Sequence, residues 1–237
     1  MDRLTRKELK SDHFALEVQH GVEFVSGHRK QMGLYGAIAA GVLAVVLGVY
    51  FYMEHTKATR QEALSGALQV VNAQVGPQQN EYILAFPTED ARKKASSKAL
   101  AEVASKFGGS EQGYIAEYLL GTMAANDGNL ADAEKRLKPV ADSASANPAS
   151  LAKLALAQVY AAQGKPADAE RVAHELMDHP TAFVSKEQAT FTLAHILEDT
   201  KPGEARKLLE PFRSTTDRPD LSRAAINALG IMNNNKK

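Results

Sequence analysis

The sequence predicts an all-α protein in which one transmembrane helix precedes a helical-repeat solenoid. Three observations carry that reading. From Leu34 to Met53 the chain runs 20 residues without a charge. Alanine is abundant after residue 53 while Val, Ile and aromatic residues are sparse, the bias of packed helices and not of sheets. A pattern of helix, tight turn and helix returns three times with a shift of 36 residues.

The apolar run LYGAIAAGVLAVVLGVYFYM has 20 residues, which at about 1.5 Å each match a hydrocarbon layer of about 30 Å. Tyr35 at one end and Tyr50, Phe51 and Tyr52 at the other suit the two interfaces, where an apolar ring with a wet hydroxyl is at ease. A buried core helix is the alternative, but such helices seldom run this long without a charge or an amide. A cleaved leader fits poorly, since the apolar run exceeds the usual span of about 7 to 15 residues and no small-residue cleavage site follows.

Orientation follows from basic residues. Arg3, Arg6, Lys7, Lys10, Arg29 and Lys30 precede the run, against Lys57 and Arg60 just after it, so residues 1–33 are expected in the cytoplasm. The residues nearest the membrane balance, and the preference rests on the distal part of the tail. Within that tail Ser11 or Asp12 can cap an amphipathic helix with Phe14, Val18, Val22 and Val25 on one stripe. In the span itself Gly36, Ala40, Ala44 and Gly48 recur every fourth residue, a stripe along which another helix can approach closely.

The segment from 54 to 232 is expected to form the repeat domain, and 233–237 a disordered end. A first helix is expected over Ala58–Val75, then a loop with Gly76-Pro77 and Phe86-Pro87, then a second helix over Glu89–Phe107 stopped by Gly108-Gly109. YIAEYLLGTMAANDGNLADAEKRL follows, with Leu120-Gly121 in one helix, Gly128-Asn129 at a turn and Ala133 in the next. A shift of 36 residues brings up Leu156-Ala157, Tyr160, Gly164-Lys165 and Ala169, and the same shift again reaches KEQATFTLAHILEDTKPGEARKLL, a segment that carries Leu193, Ile196, Lys201-Pro202-Gly203 and Ala205. Small residues fall where two helices cross. Counting back 36 residues from Ala133 gives Ser97, with Ala101 and Ala104 behind it, a degenerate first repeat. Asp220–Met232 reads as a helix capping the last apolar face.

These residues resemble the tetratricopeptide repeat. Leu120, Gly121, Gly128, Ala133 and Leu137 match its pattern, as do Leu156, Ala157, Tyr160, Gly164 and Ala169, while the third unit keeps mainly Ala205 and Leu209. No unit carries the repeat's Trp, and the shift exceeds the usual period of about 34 residues. The resemblance implies that the first helix of each unit lines a concave groove. It would assign to that groove Ile115, Tyr118, Thr122, Asn126, Leu151, Leu154, Gln158, Glu187, Thr190 and Ala194. Almost none is charged, so the clamp with which chaperone-binding repeats hold a terminal carboxylate is missing, and an apolar or mixed peptide suits the groove better.

Little else in the chain suggests chemistry. Its 237 residues carry 28 basic and 28 acidic side chains, with no cysteine. Neither nucleic acid nor an acidic partner is favoured, and thiolate chemistry is excluded. His174 and His179 flank a Glu but stand five apart; a zinc protease needs four, so that both rings leave one helical face. No phosphate loop or nucleophile elbow is present. The chain is expected to be no enzyme and to need no cofactor or metal.

The whole architecture, a basic tail, one anchor and an outward repeat domain, resembles the YfgM-type ancillary subunits of the bacterial SecYEG translocon. That resemblance implies an inner-membrane protein with a periplasmic repeat domain, whose partners are translocon subunits, periplasmic chaperones or client polypeptides. The same architecture would also serve a scaffold for another assembly of the cell envelope, in the outer membrane or cell wall.

Overall fold

A computed structural model describes residues 29–77, 80, 83–143 and 147–234. The amphipathic helix expected around Phe14 to Val25 and the end after residue 234 lie outside them. The chain divides into two units, Met1–Thr59 and Arg60–Lys237.

In the first unit the described residues form the beginning of α1, Arg29–Val71. Every residue from 34 to 55 is exposed, including Val45 at 66% and Phe51 at 67%. A water-soluble protein would not leave such a continuous apolar helix bare, and the helix is long and apolar enough to cross a membrane. Its backbone groups are satisfied internally, as a hydrocarbon layer requires. Past the apolar run, the hydroxyls of Thr56 and Thr59 donate to the carbonyls of Tyr52 and His55 at 2.7 and 3.0 Å. The separate helix expected from Ala58 to Val75 is not separate. Nothing in MEHTKA, residues 53–58, breaks a helix, so the same helix continues to Val71.

The second unit is a stack of antiparallel helices. After the last turns of α1 come α2 (Glu89–Lys106), α3 (Glu111–Asn126), α4 (Leu130–Ala141), α5 (Ala149–Ala162), α6 (Pro166–Asp178), α7 (Lys186–Leu197), α8 (Pro202–Arg213) and α9 (Pro219–Asn234). Side-chain caps start several of them: the oxygens of Thr88, Ser110, Asn129 and Ser185 each accept from the backbone N–H three residues on, which satisfies an otherwise orphaned donor. The stretched loop before α2 contains two-residue strands, β1 (Gln74–Val75) and β2 (Ala85–Phe86), paired in parallel. Arg92 of α2 donates to the Ala73 carbonyl at 3.2 Å and ties this loop down.

Consecutive helices pack as hairpins, α3/α4, α5/α6 and α7/α8, with α9 against α8. One buried cluster of Leu64, Ala67, Leu100, Val103, Ala104, Ala116 and Leu120 joins α1, α2 and α3. A larger one runs from Ala133 in α4 to Met232 in α9. The last turns of α1 thus share a buried cluster with α2 and α3, and the phase of α2 is one residue off the one expected for a degenerate first repeat. Ser96, Leu100 and Val103 are buried whereas Ser97 and Ala101 are exposed, so Ser96, not Ser97, corresponds to Ala133.

Where the helices of a hairpin cross, side-chain size is matched. At Gly121 an added Cβ would lie 2.7 Å from Leu137 Cγ, so glycine is what lets this leucine of α4 seat on α3. Gly113 is fixed by the turn before it, since a Cβ there would come 2.2 Å from the Phe107 carbonyl oxygen.

The turns differ between hairpins. α3/α4 and α5/α6 close through Gly128 at φ 76° and Gly164 at φ 72°. There the N–H of Asn129 reaches the Ala124 carbonyl and that of Lys165 reaches the Tyr160 carbonyl, both at 2.9 Å, the six-residue closure that a left-handed glycine permits. α7/α8 closes one residue sooner, the Lys201 N–H donating to the Leu197 carbonyl at 2.7 Å, with no left-handed residue.

Candidate protein-binding groove

The first helices of successive hairpins approach each other directly, α3 with α5 and α5 with α7. They form one layer of the stack, on which the expected groove residues are carried. Ile115 and Tyr118 are half-buried on α3. Burial raises the Tyr118 hydroxyl above its ordinary pKa, so it stays protonated and able to donate at neutral pH. The Thr122 hydroxyl donates to the Leu119 carbonyl at 2.9 Å, and Asn126 at the end of α3 is exposed. On α5, Leu151 and Leu154 pack partly against Leu176, Val184 and Ala189, with Gln158 exposed beside them.

The third hairpin places its residues differently. Thr190 is 5% exposed and Ala194 1%, and the Thr190 hydroxyl donates to the Lys186 carbonyl at 2.7 Å; both side chains are closed inside the fold. Glu187 is partly buried in the first turn of α7. Its carboxyl is held below the usual range, chiefly by its own backbone N–H and then by the Ser185 hydroxyl. The reason is a register change. Ala116 and Ala152 are 36 apart, but Ala152 and Ala189 are 37 apart, all three fully buried. The short α7/α8 turn restores the count by Ala205, which hides the extra residue. Counted from the buried alanines, the positions equivalent to Tyr118 and Leu154, and to Thr122 and Gln158, are Phe191 and His195. Phe191 is half-buried and packs on Phe212 with ring centroids 5.4 Å apart; His195 is exposed beside Glu198, its Nδ1 3.0 Å from the carboxylate.

Behind this layer lies a cavity of about 380 Å³, lined by Ser150, Lys153, Glu175, His179, Thr181 and Phe183. Lys153 and Glu175 form an ion pair across it, and Thr181 donates to Ser150 at 2.9 Å. His179 caps the C-terminus of α6 while His174 is exposed on the same helix, so the two imidazoles do not share a ligand position. Among the described residues no group of three His, Asp or Glu could hold a metal ion.

A signal overlooked in the sequence joins the hairpins to one another. Lys165 pairs with Glu134 at 2.9 Å and Lys201 with Glu170 at 2.7 Å. Both partners shift by 36 residues, so the lysines that open α6 and α8 each meet a glutamate on the second helix before them. In the first unit Gly36, Ala40, Ala44 and Gly48 are exposed, and nothing lies within 4 Å of a Cβ built at Gly36 or Gly48.

Comparison with known proteins agrees with the helical stack. No curated protein and no solved structure matches the chain. The family of tetratricopeptide repeat-like domains matches residues 31–210, a span that takes in the apolar helix as well as three hairpins. By that match over most of its length, the chain belongs to the tetratricopeptide repeat-like domain family.

Proposed function

We propose that this chain is a membrane-anchored protein-interaction module, an ancillary translocon subunit that assists the passage of secreted polypeptides or their hand-over to chaperones. The family's repeats are a protein-interaction fold, and the bare apolar helix supports insertion into a bacterial inner membrane. The excess of Lys and Arg before that helix supports a cytoplasmic N-terminus and a periplasmic repeat domain. In this reading the α3 and α5 surface around Ile115, Tyr118, Leu151, Leu154 and Gln158 takes an apolar or mixed segment, extended onto α7 through Phe191 and His195. Gly36, Ala40, Ala44 and Gly48 take a helix of the membrane partner.

The observation that carries the proposal is the uncharged face of the first helices, half-open and rich in Leu, Ile and Tyr. Photoreactive residues placed at Ala40 and at Gln158 in cells test it. The expected result is adducts with translocon subunits from Ala40 and with chaperones or clients from Gln158. Recovery of lipid and self-adducts alone would overturn the reading, and adducts confined to outer-membrane or cell-wall machinery would assign the chain to that assembly instead.

A further inference from the structure

The turn that closes the first hairpin holds a reactive dipeptide. Asp127-Gly128 is the one Asp-Gly pair in the sequence, and no Asn-Gly pair occurs. In such a pair the backbone nitrogen after the aspartate can attack the side-chain carboxyl carbon, because glycine has no Cβ to crowd the approach. Asp127 ends α3 at φ −83° and ψ 2°, and Gly128 follows at φ 76°. Both are exposed, and nothing lies within 4 Å of a Cβ built at Gly128. Two features restrain the attack. The Gly128 N–H donates to the Ala125 carbonyl at 3.0 Å, flanked by the bonds from Asp127 to Met123 at 3.0 Å and from Asn129 to Ala124 at 2.9 Å. The carboxylate is held from outside the hairpin, by the ammonium of Lys93 on α2, a charge-assisted contact that fixes one of its oxygens. Neighbouring turns lack the dipeptide. Gln163-Gly164 takes its place in the second hairpin, where the longer side chain would have to close a six-membered ring and its amide is engaged by the Leu130 carbonyl at 3.0 Å. Asp142 and Asp199 stand at or just past helix ends but precede Ser143 and Thr200, whose side chains crowd the nitrogen.

We propose that Asp127 is a site of isoaspartate formation and that Lys93 of α2 is the residue that slows it. The Gly128 nitrogen forms a bond to Cγ of Asp127 once the turn opens locally and its hydrogen bond to Ala125 is released. The carboxyl loses its hydroxyl and the amide its proton, which leave together as water, and a five-membered succinimide remains. One water then opens the ring at either carbonyl. Opening at the Cγ carbonyl restores aspartate. Opening at the main-chain carbonyl leaves the chain running through Cβ and Cγ, one atom longer, with the carboxylate on Cα. That extra atom falls inside the closure from the Asn129 N–H to the Ala124 carbonyl, so the modification lengthens the turn that a left-handed glycine had fixed. Asn126 of the groove stands directly beside it.

Full-length chain in mild detergent is aged at neutral pH and digested. Mass spectrometry with electron-driven fragmentation then separates the aspartyl and isoaspartyl forms of each peptide. The expected result is isoaspartate at Asp127 well before Asp142 or Asp199. Lys93→Ala raises the rate at Asp127 by about two- to five-fold, the range that a surface ion pair supplies. Lys93→Arg, which keeps the pairing, holds the native rate, and Lys94→Ala at the neighbouring exposed position leaves it unchanged. Isoaspartate no faster at Asp127 than at Asp142 and Asp199 would overturn the proposal. So would a rate indifferent to Lys93→Ala, or an equal rise from Lys94→Ala, which would trace the effect to net charge and not to the contact.

Discussion

The first two hairpins of the stack and the third reach the same packing by different turns. α3/α4 and α5/α6 use a left-handed glycine and a six-residue closure, while α7/α8 closes in one residue fewer and without glycine. In all three the leading Leu and the small residue after it are buried: Leu120-Gly121, Leu156-Ala157 and Leu193-Ala194. What the repeat holds constant is the helix crossing. The turn is free to vary provided it delivers the second helix to the crossing.

The largest effects are therefore expected at the crossings. Leu137→Ala removes a fully buried side chain and should cost about 3 kcal/mol. Gly121→Ala drives a methyl into Leu137 and should cost about 2 kcal/mol. The double variant recreates the pairing of Ala157 with Ala173, the equivalent and fully buried positions of the next hairpin. Its cost should fall short of the sum of the singles by more than about 1 kcal/mol. Equilibrium unfolding in mild detergent measures all three, and strict additivity would show that the size match between the helices is incidental.

Turn substitutions should do less. Gly164→Ala forces a Cβ into a left-handed conformation and should cost about 1 kcal/mol, with Gly128→Ala similar. Thr200→Ala in the glycine-free turn should stay within about 0.5 kcal/mol. Equal sensitivity at Gly164 and Thr200 would erase the distinction between the two kinds of turn.

The same contrast explains how far the fold could be read beforehand. Hairpins one and two were legible because glycine marks their turns and the small crossing residues keep one spacing. The third keeps the repeat's pattern mainly in its second helix, at Ala205 and Leu209. An added residue before α7 and a missing one after it cancel by Ala205, so counting forward in equal steps placed Thr190 and Ala194 on the groove when they lie in the core. The first pair slipped by one residue because two serines, Ser96 and Ser97, stand side by side where the later second helices carry one buried alanine, and only Ser96 is buried. The continuity of α1 was hidden because apolar patterning changes at Met53 while the backbone has no cause to stop there. The ion pairs between hairpins needed no structure, since Glu134 and Glu170, like Lys165 and Lys201, repeat in register.

Those ion pairs yield the smallest effect and the sharpest test of the comparison. The Glu134 carboxyl is held below its ordinary pKa of 4.5, first by the hydrogen bond from Lys165 and then by one from Gln163. Because the folded-state pKa is depressed, the pair stabilises above the unfolded carboxylate range and that contribution fades as pH falls through the folded value. Lys165 is raised above 10.5, chiefly by its hydrogen bond to Glu134, so its share is intact at neutral pH and lost only as pH climbs past the raised folded value. Glu134→Gln should thus lower the unfolding midpoint at pH 7 by about 2 °C or less, because both groups are largely solvated. The difference from the native chain should shrink as acid protonates Glu134 in the latter. Lys201 is raised in the same way by its hydrogen bond to Glu170, although it opens the hairpin with the short turn. Glu170→Gln should therefore match Glu134→Gln in size. A clear inequality would mean that the shortened turn shifts Lys201 away from the position that Lys165 holds, and that the turns are less interchangeable than the crossings imply.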